Sequence, residues 1–363
     1  MSAPASAMAA RVLVYGANGY TGMLIAEEMR RRGLDTLLAG RNRGEIEALG
    51  RRLGCATRVF DLGDPAAIRA EFEGVAMVLN CAGPFSRTAA PLLDACLAQR
   101  VHYLDITGEI DVFALCHLAD ARARERGIVV APGVGFDVVP TDCVAAMLKQ
   151  RLPSATSLVL GFEAGGGASP GTAKTSVEGL AGGGRARIGG QVVEVPLAWK
   201  TRTFVRDGMP RAAMTIPWGD VYTAFVSTGI PDIETYMAMP PRAIAVARRM
   251  RMLRPLLRLA PVQAWLKARA GARPGPDDAR RAKTHCRVWG EARDASGRLA
   301  TLQIRTPNGY ALTAWTAPDI AARVLAQPPE GGFFTPSQLM GSDYVLRVPG
   351  VSIVEDTSGT GPG

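Results

Sequence analysis

The stretch Val12-Leu-Val-Tyr-Gly16-Ala-Asn-Gly19-Tyr-Thr-Gly22 decides the fold of the first third of this 363-residue chain. A short apolar strand ends at Gly16, and apolar spacing predicts a helix from Thr21 to Arg32. In such a strand-loop-helix unit the first glycine permits a tight turn, the second lets backbone approach a phosphate, and the third lets the helix pack closely on the sheet. The GxxGxxG spacing departs from the commoner GxGxxG, so the prediction of a dinucleotide site depends on this context.

Six short apolar runs alternate with helical segments as far as Gly133. The predicted strands are Arg11 to Gly16, Thr36 to Gly40, Thr57 to Asp61, Met77 to Cys81, Val101 to Ile106 and Ile128 to Gly133. Alternation of this kind is typical of βαβ units. It predicts an α/β fold, a Rossmann doubly wound parallel sheet, over residues 8–140.

After Gly133 the alternation gives way to longer β-type stretches and glycine clusters. This change predicts a second, α+β domain over residues 141–331, built on a mixed or antiparallel sheet. Its predicted strands are Leu158 to Glu163, Val192 to Val195, Val221 to Thr228, His285 to Arg293 and Arg298 to Thr306. Asp294-Ala-Ser-Gly297 predicts a hairpin turn between the last two. Residues 354–363 are small, polar and Gly-rich, and we expect a disordered tail there.

The second predicted strand ends in Ala39-Gly40-Arg41-Asn42-Arg43, where NAD-binding domains place an acid for the ribose hydroxyls. Arg41 and Arg43 would instead attract a 2′-phosphate, which favours NADP(H) as the cofactor. Asp61 is assigned to the adenine amine, and the loop Asn80–Phe85 to the ribose beside nicotinamide. The full set of predicted cofactor contacts is Gly16, Asn18, Gly19, Tyr20, Thr21, Gly22, Arg41, Asn42, Asp61, Asn80, Cys81, Ala82, Gly83, Pro84, Phe85 and Thr107.

Hydride reduction requires one proton donor near the acceptor. The pairing of a tyrosine with a lysine four residues later is absent, because none of the seven tyrosines has lysine at that spacing. Tyr103, Glu109 and Asp137 follow or end the fifth and sixth strands and are the candidate catalytic residues, with ribose contact or loop bracing as the alternative roles. Asp142, at the start of a predicted helix, is assigned as its cap.

Composition excludes several classes of function. The net charge is +9, but the arginines are spread along the chain without the basic segment of a nucleic-acid module. Six scattered cysteines without CxxC and three histidines without ligand spacing predict a reduced, cytoplasmic protein without a metal site. No apolar run approaches the roughly 20 residues of a membrane helix.

The motifs resemble, in order, those of the saccharopine dehydrogenase-like oxidoreductases. The matching stretches are Gly16 to Gly22, Ala39-Gly-Arg41, Asn80 to Phe85, Tyr103-Leu-Asp-Ile-Thr-Gly-Glu109 and Gly135-Phe-Asp-Val-Val-Pro-Thr-Asp142. Further stretches look similar to the branch that contains trans-acting enoyl reductases: Ser169-Pro-Gly-Thr172, Glu178-Gly179 and Gly332-Phe-Phe-Thr-Pro-Ser-Gln-Leu-Met-Gly341. In that family the C-terminal segment, here residues 332–353, returns to the Rossmann domain and leaves the second domain inserted.

The resemblance implies an NADP(H)-dependent oxidoreductase that takes a small-molecule or acyl-thioester substrate. One activity is reduction of the C=C bond of an enoyl thioester in lipid or polyketide assembly. An alternative is reduction of an imine in an amino-acid dehydrogenase of the saccharopine type, for which Arg87, Lys174 and Arg185 would supply cations to substrate carboxylates. A third interpretation is an NADP(H)-binding redox sensor or scaffold without turnover.

The segment 241–270 is rich in arginine with leucines and methionines between, and Pro255 and Pro261 interrupt it. One interpretation is a solvated helical face that covers the sheet. Another is contact with a membrane surface or with an acidic acyl-carrier protein. Contact with a membrane would make this cytoplasmic protein membrane-associated. A homodimer also remains open.

Overall fold

The structure is a computed structural model that describes residues 10–206, 208–257, 259–271 and 275–360. The first half comprises β1 (Arg11–Tyr15), α1 (Tyr20–Arg31), β2 (Thr36–Gly40), α2 (Arg43–Leu53), β3 (Ala56–Val59), α3 (Pro65–Ala70), β4 (Val75–Asn80), α4 (Phe85–Gln99), β5 (His102–Asp105), α5 (Ile110–Leu118), α6 (Asp120–Arg126), β6 (Val129–Ala131) and α7 (Val139–Arg151).

The remainder comprises β7 (Ala155–Glu163), α8 (Pro170–Gly182), β8 (Gly184–Ile188), β9 (Gln191–Val195), β10 (Thr201–Arg206), β11 (Met209–Thr215), α9 (Asp220–Thr228), β12 (Asp232–Ala238), α10 (Pro241–Met250), α11 (Arg254–Leu257), α12 (Ala260–Gly271), α13 (Asp278–Lys283), β13 (His285–Asp294), β14 (Arg298–Pro307), α14 (Gly309–Ala326), β15 (Gly332–Phe333), α15 (Pro336–Met340) and β16 (Ser352–Thr360). Single 3₁₀ turns lie at Arg251–Leu253 and Tyr344–Arg347.

Seven strands of the described chain form a parallel sheet in the order β15-β6-β5-β4-β1-β2-β3. Helices cover both faces, and Val12, Leu13 and Val14 of β1 are fully buried. Strands buried on both faces need continuous apolar runs, which is why the sequence reveals them. The predicted Rossmann sheet is confirmed, and each of its first six strands ends within two residues of its predicted bounds.

The second sheet is mixed, as predicted. Its main path is β10-β11-β12-β7-β13-β14-β16, and β8 pairs with β12 and β9. β7 and β12 run parallel, whereas β13 and β14 form an antiparallel hairpin. Asp294 turns that hairpin, because its carboxylate accepts the backbone N–H groups of Ser296 and Arg298 and Gly297 takes a positive φ of 86°. The predicted turn is confirmed.

Helix α7 joins the two sheets into one hydrophobic core. Its residues Val139 to Ala145 are all buried, and Val144 and Leu148 press on β13 at Gly290. A Cβ at Gly290 would lie 2.6 Å from both side chains, so only glycine permits this close approach. The parallel sheet and the second sheet are therefore packed on a shared helix.

The prediction of a strand over Val221–Thr228 is wrong, because Asp220–Thr228 forms helix α9. Four β-branched residues favoured a strand by local preference. Val221, Ala224 and Thr228, however, are buried at helical spacing, and α9 packs against α7. Gly229 ends the helix with φ 70°. Tertiary packing outweighs the local preference here.

The prediction of a disordered tail from residue 354 is also wrong. β16 extends to Thr360 and pairs antiparallel with β14, with Ile353 opposite Ile304. A strand edge is satisfied by backbone hydrogen bonds, which small polar residues supply as well as apolar ones. Before it, Gly332 and Phe333 pair in parallel with β6 at the end of the first, parallel sheet. Residues 361–363 lie outside the described residues.

Candidate functional site

The loop between β1 and α1 brings three glycines to one point of the sheet's carboxyl edge. Gly16 has φ 81°, and a Cβ there would lie 2.8 Å from Ala82. A Cβ at Gly22 would lie 2.3 Å from the Gly16 carbonyl oxygen. Gly19 precedes α1 without a side-chain cap, and the first turn of α1 carries no acid. The N-terminus of α1 therefore presents free N–H groups and a positive dipole end to an anion.

The residues around Arg41 follow β2, where the sequence predicts the adenosine part of the cofactor. Arg41 is exposed, and within the described ranges no ion pair engages it. Arg43, two residues on, is bound to Glu47 at 3.0 Å, and Asn42 caps α2 by accepting the Glu45 N–H. Asp61 is exposed and accepts the backbone N–H of Gly63. Arg41 is thus the cation that stays available for a 2′-phosphate.

Tyr15 and Asn18 lie next to this region. Burial raises the pKa of Tyr15 to about 12, against the lowering effect of Arg41, and its hydroxyl donates to the Phe60 carbonyl. Asn18 donates to Glu45 at 2.6 Å. Thr21 is half-buried at the start of α1. The predicted cofactor residues of β1, α1 and β2 therefore lie together.

The loop after β4 borders the turn from Gly16 to Gly22, which we call the glycine loop, through Ala82. Asn80 is fully buried, donates to Thr88 and accepts the Ala82 N–H, which fixes the turn. Cys81 and Pro84 are half-buried and Gly83 is exposed, with a cis peptide bond between Gly83 and Pro84. Burial raises the pKa of the Cys81 thiol, so it stays protonated. Phe85 begins α4 and is buried.

Tyr103, a candidate proton donor, lies inside the sheet. Its side chain is fully buried and its hydroxyl donates to Asp105 at 2.8 Å. Asp105 also accepts the backbone N–H groups of Thr107 and Gly133, and burial raises its pKa to about 6. Thr107 is itself buried. This network ties the ends of β5 and β6 together, and it favours a bracing role for Tyr103.

Glu109, the second candidate, binds the start of another helix. Its two carboxylate oxygens accept the N–H groups of Phe85 at 2.9 Å and Ser86 at 2.8 Å. Both belong to the first turn of α4, where a negative charge is stabilised by the helix dipole. Glu109 therefore joins the β5 loop to the β4 loop. Its placement favours a positioning role.

Asp137 differs from both. It lies half-buried in the loop between β6 and α7, and among the residues that the structure describes no hydrogen bond engages its carboxyl oxygens. Burial, and secondarily the charge of Glu109, raises the pKa of Asp137 to about 7. A carboxyl group at such a pKa exists in both protonation states near neutrality, as a general acid requires. Of the three candidates, Asp137 fits proton donation best.

The second domain contributes an aromatic wall beside Asp137, which the sequence reasoning missed. The Trp218 indole N–H donates to the Asp137 carbonyl at 2.6 Å, and its ring lies 5.0 Å from Phe162, whose ring meets Phe136 at 5.8 Å. Gly219 sits against the ring of Phe113, since a Cβ there would lie 2.6 Å from it. The stretch Ile216-Pro-Trp-Gly-Asp220 carries no motif that would have shown this.

Asp220 lies buried behind Trp218. Its Oδ1 is 2.6 Å from the Thr141 hydroxyl oxygen, which in turn is 3.0 Å from the Val138 carbonyl oxygen. Thr141 has one hydroxyl proton and cannot serve both oxygens. A protonated Asp220 donates to Thr141, and Thr141 donates to Val138, so both contacts are satisfied. Burial raises the pKa of Asp220 well above its ordinary range, consistent with this neutral acid.

The prediction that Asp142 caps its own helix is wrong. Val138 is the N-cap of α7, and Asp142 follows within the first turn. Its carboxyl group accepts the N–H of Ser337 at 2.8 Å, in the first turn of α15, and the hydroxyl of Ser227 at 2.7 Å. It therefore fastens the C-terminal segment and α9 to α7.

Tyr20 brings the second domain onto the glycine loop. Its hydroxyl donates to the carbonyl of Pro276 and accepts from Arg281 at 2.8 Å, and its ring meets Tyr310 edge to face at 4.9 Å. Tyr310 accepts the backbone N–H of Ser169. Because 261 residues separate Tyr20 from Arg281, no local pattern predicts this contact.

The three cations expected for a carboxylate-rich substrate are not assembled among the described side chains. Arg185 binds Asp111 at 3.0 Å. Arg87 is exposed on α4. The side chain of Lys174 lies outside the described residues. Around Asp137 the structure instead places aromatic rings and further acids.

Comparison with known proteins agrees with the prediction of a dinucleotide-binding site at the carboxyl edge of the first sheet, which we call the cofactor edge. Residues 12–127 match the family model of the saccharopine dehydrogenase NADP binding domain. Part of the chain is 26% identical over 172 residues to a saccharopine dehydrogenase-like oxidoreductase of Rattus norvegicus, covering 42% of this chain and 40% of that one. Part is 32% identical over 139 residues to a putative trans-acting enoyl reductase of Mycobacterium tuberculosis, covering 36% and 33%. The chain thus spans two fifths or less of the length of these relatives.

Among solved structures, the fold is similar to apo saccharopine dehydrogenase (L-Glu forming) of Saccharomyces cerevisiae. The TM-score is 0.64 at 11% identity, covering 96% of this chain and 100% of that one. The likeness therefore includes the second domain, and at this identity it concerns the fold alone.

Proposed function

We propose, for a chain whose residues 12–127 form a domain of the saccharopine dehydrogenase NADP-binding family, that the protein is an NADP(H)-dependent reductase. The proposed reaction is reduction of the C=C bond of an enoyl thioester. The observation that carries it is the half-buried, unengaged carboxyl group of Asp137, a residue whose backbone carbonyl accepts the indole N–H of Trp218.

The residues of the cofactor edge fit a phosphorylated dinucleotide. The glycine turn has no room for side chains, and the N-terminus of α1 is free for a pyrophosphate. Arg41 would hold the 2′-phosphate, and the loop Asn80–Phe85 would border the nicotinamide ribose. When bound, NADPH supplies a hydride, which is the chemistry that this chain's side chains cannot provide.

The protein's own task is then to deliver one proton to the acceptor. Asp137 is held by its backbone, since Trp218 binds its carbonyl, while its carboxyl group remains unengaged in the described structure. Asp105 and Glu109 hold the neighbouring loops through backbone N–H groups. An acid that is held in position and has a pKa close to neutral pH, such as Asp137, supports a catalytic role over a sensor role.

The surroundings of Asp137 support an apolar acceptor. Phe136, Phe162 and Trp218 form one side, and the charges of Asp105 and Glu109 would repel a substrate with several carboxylates. An imine formed from an amino acid and a 2-oxo acid carries such groups. The cation Arg185, which would compensate them, is occupied by Asp111.

The test is oxidation of NADPH by two substrate panels. We expect 2-enoyl thioesters to lower the NADPH absorbance, with kcat/KM rising with chain length because longer chains bury more apolar surface. Activity with 2-oxo acids plus lysine, and none with enoyl thioesters, would establish the imine alternative. Tight NADPH binding without oxidation in either panel would establish the sensor.

A further inference from the structure

The segment from α10 to α12, residues 241–271, forms a surface that we name the basic helical surface. Between Thr235 and Pro276 the chain carries nine Lys and Arg residues and neither Asp nor Glu. The exposed members among the described side chains include Arg242, Arg248 and Arg249, and no salt bridge between described residues neutralises these three. The surface is therefore a concentrated positive charge.

The same surface exposes large apolar side chains. Half of the large hydrophobic residues found exposed in the described chain lie on it. They are Val246, Met252, Leu253, Leu256, Leu259 and Trp265. Met252 is 87% exposed and Trp265 is 61% exposed. Side chains of this kind are costly in water when they are grouped, and such groups mark contact surfaces.

The opposite face of these helices is already occupied. Ile244 and Ala247 of α10 and Leu257 of α11 are buried, and Gln263 of α12 donates to the carbonyl of Val177 in α8. The exposed apolar residues therefore lie on the side away from the protein. They are not the packing face of helices that merely cover the sheet.

We propose that the basic helical surface docks on membranes that contain anionic lipids. Arginines would contact lipid phosphates while Met252, Leu256 and Trp265 enter the boundary between headgroups and acyl chains. An acidic carrier protein would satisfy the charges but would leave most of the exposed apolar side chains in water. Binding is peripheral, because no helix in the described part of the chain is long and apolar enough to span a bilayer.

The proposal is tested by sedimentation of the full chain with vesicles of phosphatidylcholine alone or mixed with phosphatidylserine. We expect about tenfold more binding to the mixed vesicles at low salt, and we expect this difference to disappear at high salt. Charge reversal by Arg248→Glu with Arg249→Glu should abolish that preference. Met252→Ser with Trp265→Ala should lower binding about fivefold at any salt concentration, because it removes the apolar contribution.

Two matched controls change similar residues elsewhere. Leu118→Ser removes an apolar side chain that is 84% exposed on α5, and Arg51→Glu reverses an exposed charge on α2. Both should bind vesicles as the wild type does. NADPH affinity and the melting temperature should be unchanged in the surface variants, which shows that they fold and keeps this test separate from the reductase proposal.

Three results would overturn the proposal. Equal binding to both kinds of vesicle excludes anionic lipid. No vesicle binding together with saturable binding of an acidic acyl-carrier protein assigns the surface to a carrier. Loss of a dimer in the surface variants, measured by light scattering, assigns it to a second copy of this chain.

Discussion

The glycine loop after β1 and the acids around α7, the helix that follows β6, differ in how they present charge. At the glycine loop the groups that face a ligand are backbone N–H groups and the exposed Arg41. Around α7 the acids Asp142 and Asp220 are fully buried and Asp137 is half-buried, with burial raising the pKa of all three.

In the proposed function, the first region binds the cofactor and the second transfers a proton. A phosphate is held by fixed donors that need not titrate, so the loop is built from backbone and an arginine that is always charged. Proton transfer requires a group that exists in both forms near neutral pH, and burial next to other acids creates one. Changes at the loop should therefore alter affinity, and changes at Asp137 should alter turnover.

The largest expected effect follows replacement of Asp137 by Asn, which keeps the shape and removes the acid. We expect kcat to fall by roughly 10²- to 10⁴-fold, with the Kd for NADPH within about twofold of the wild type. Because the proposed donor is the protonated form of this acid, whose pKa is about 7, wild-type kcat should fall as pH rises above that value.

The control is Asp343→Asn, the same change at an exposed acid that binds Arg347. It should leave both constants unaltered. An Asp137→Asn enzyme with wild-type kcat and an unchanged pH profile would assign the proton donor to another residue and dissolve the distinction between the two regions.

Gly22→Ala should break the binding side of the comparison. Its Cβ would lie 2.3 Å from the Gly16 carbonyl oxygen, so α1 must move away from the loop. We expect the Kd for NADPH, measured by titration calorimetry, to rise on the order of 100-fold. Gly179→Ala in α8 has open space and should leave affinity intact. Retained affinity in Gly22→Ala would mean that the loop does not hold the phosphates.

Arg41→Ala should sharpen the comparison by isolating one charge. We expect the Kd for NADPH to rise about tenfold and the Kd for NADH to stay constant, because only NADPH carries the 2′-phosphate. Arg43→Ala should have a smaller effect, since Arg43 is bound to Glu47. Equal affinities of the wild type for both cofactors would refute the assignment of Arg41.

Asp220→Asn should produce the smallest change. An acid whose pKa is raised in the folded state binds more protons folded than unfolded, so the stability of the wild type falls as pH rises above its unfolded pKa of about 4. Asn does not ionise, so its melting temperature should match the wild type near pH 4 and exceed it by about 3 °C at pH 8. Asp94→Asn, at an exposed acid, should show no such trend. A variant less stable at pH 8 would show that Asp220 is charged in the fold.

The cofactor edge could be predicted because its signals are local. Buried parallel strands appear as apolar runs, and Gly16 and Gly22 are required by contacts within one turn of chain or with the adjacent strand. The roles of Tyr103 and Glu109 depend on hydrogen bonds to other loops, which composition does not reveal.

The second domain was predicted less well for the same physical reason. The helix α9 contains the β-branched residues of a strand and is held by packing on α7, a distant segment. The strand β12 lies between β7 and β11 and was not predicted at all. The aromatic wall at Trp218 and the contact of Arg281 with Tyr20 join residues far apart in sequence.

The return of Gly332–Phe333 to the first sheet, followed by β16 in the second, has a mechanical consequence. The chain crosses between the sheets three times, after β6, after β14 and after β15. A single proteolytic cut in one crossing leaves the halves tethered by the other two. Any relative movement of the two sheets would therefore have to bend all three crossings together.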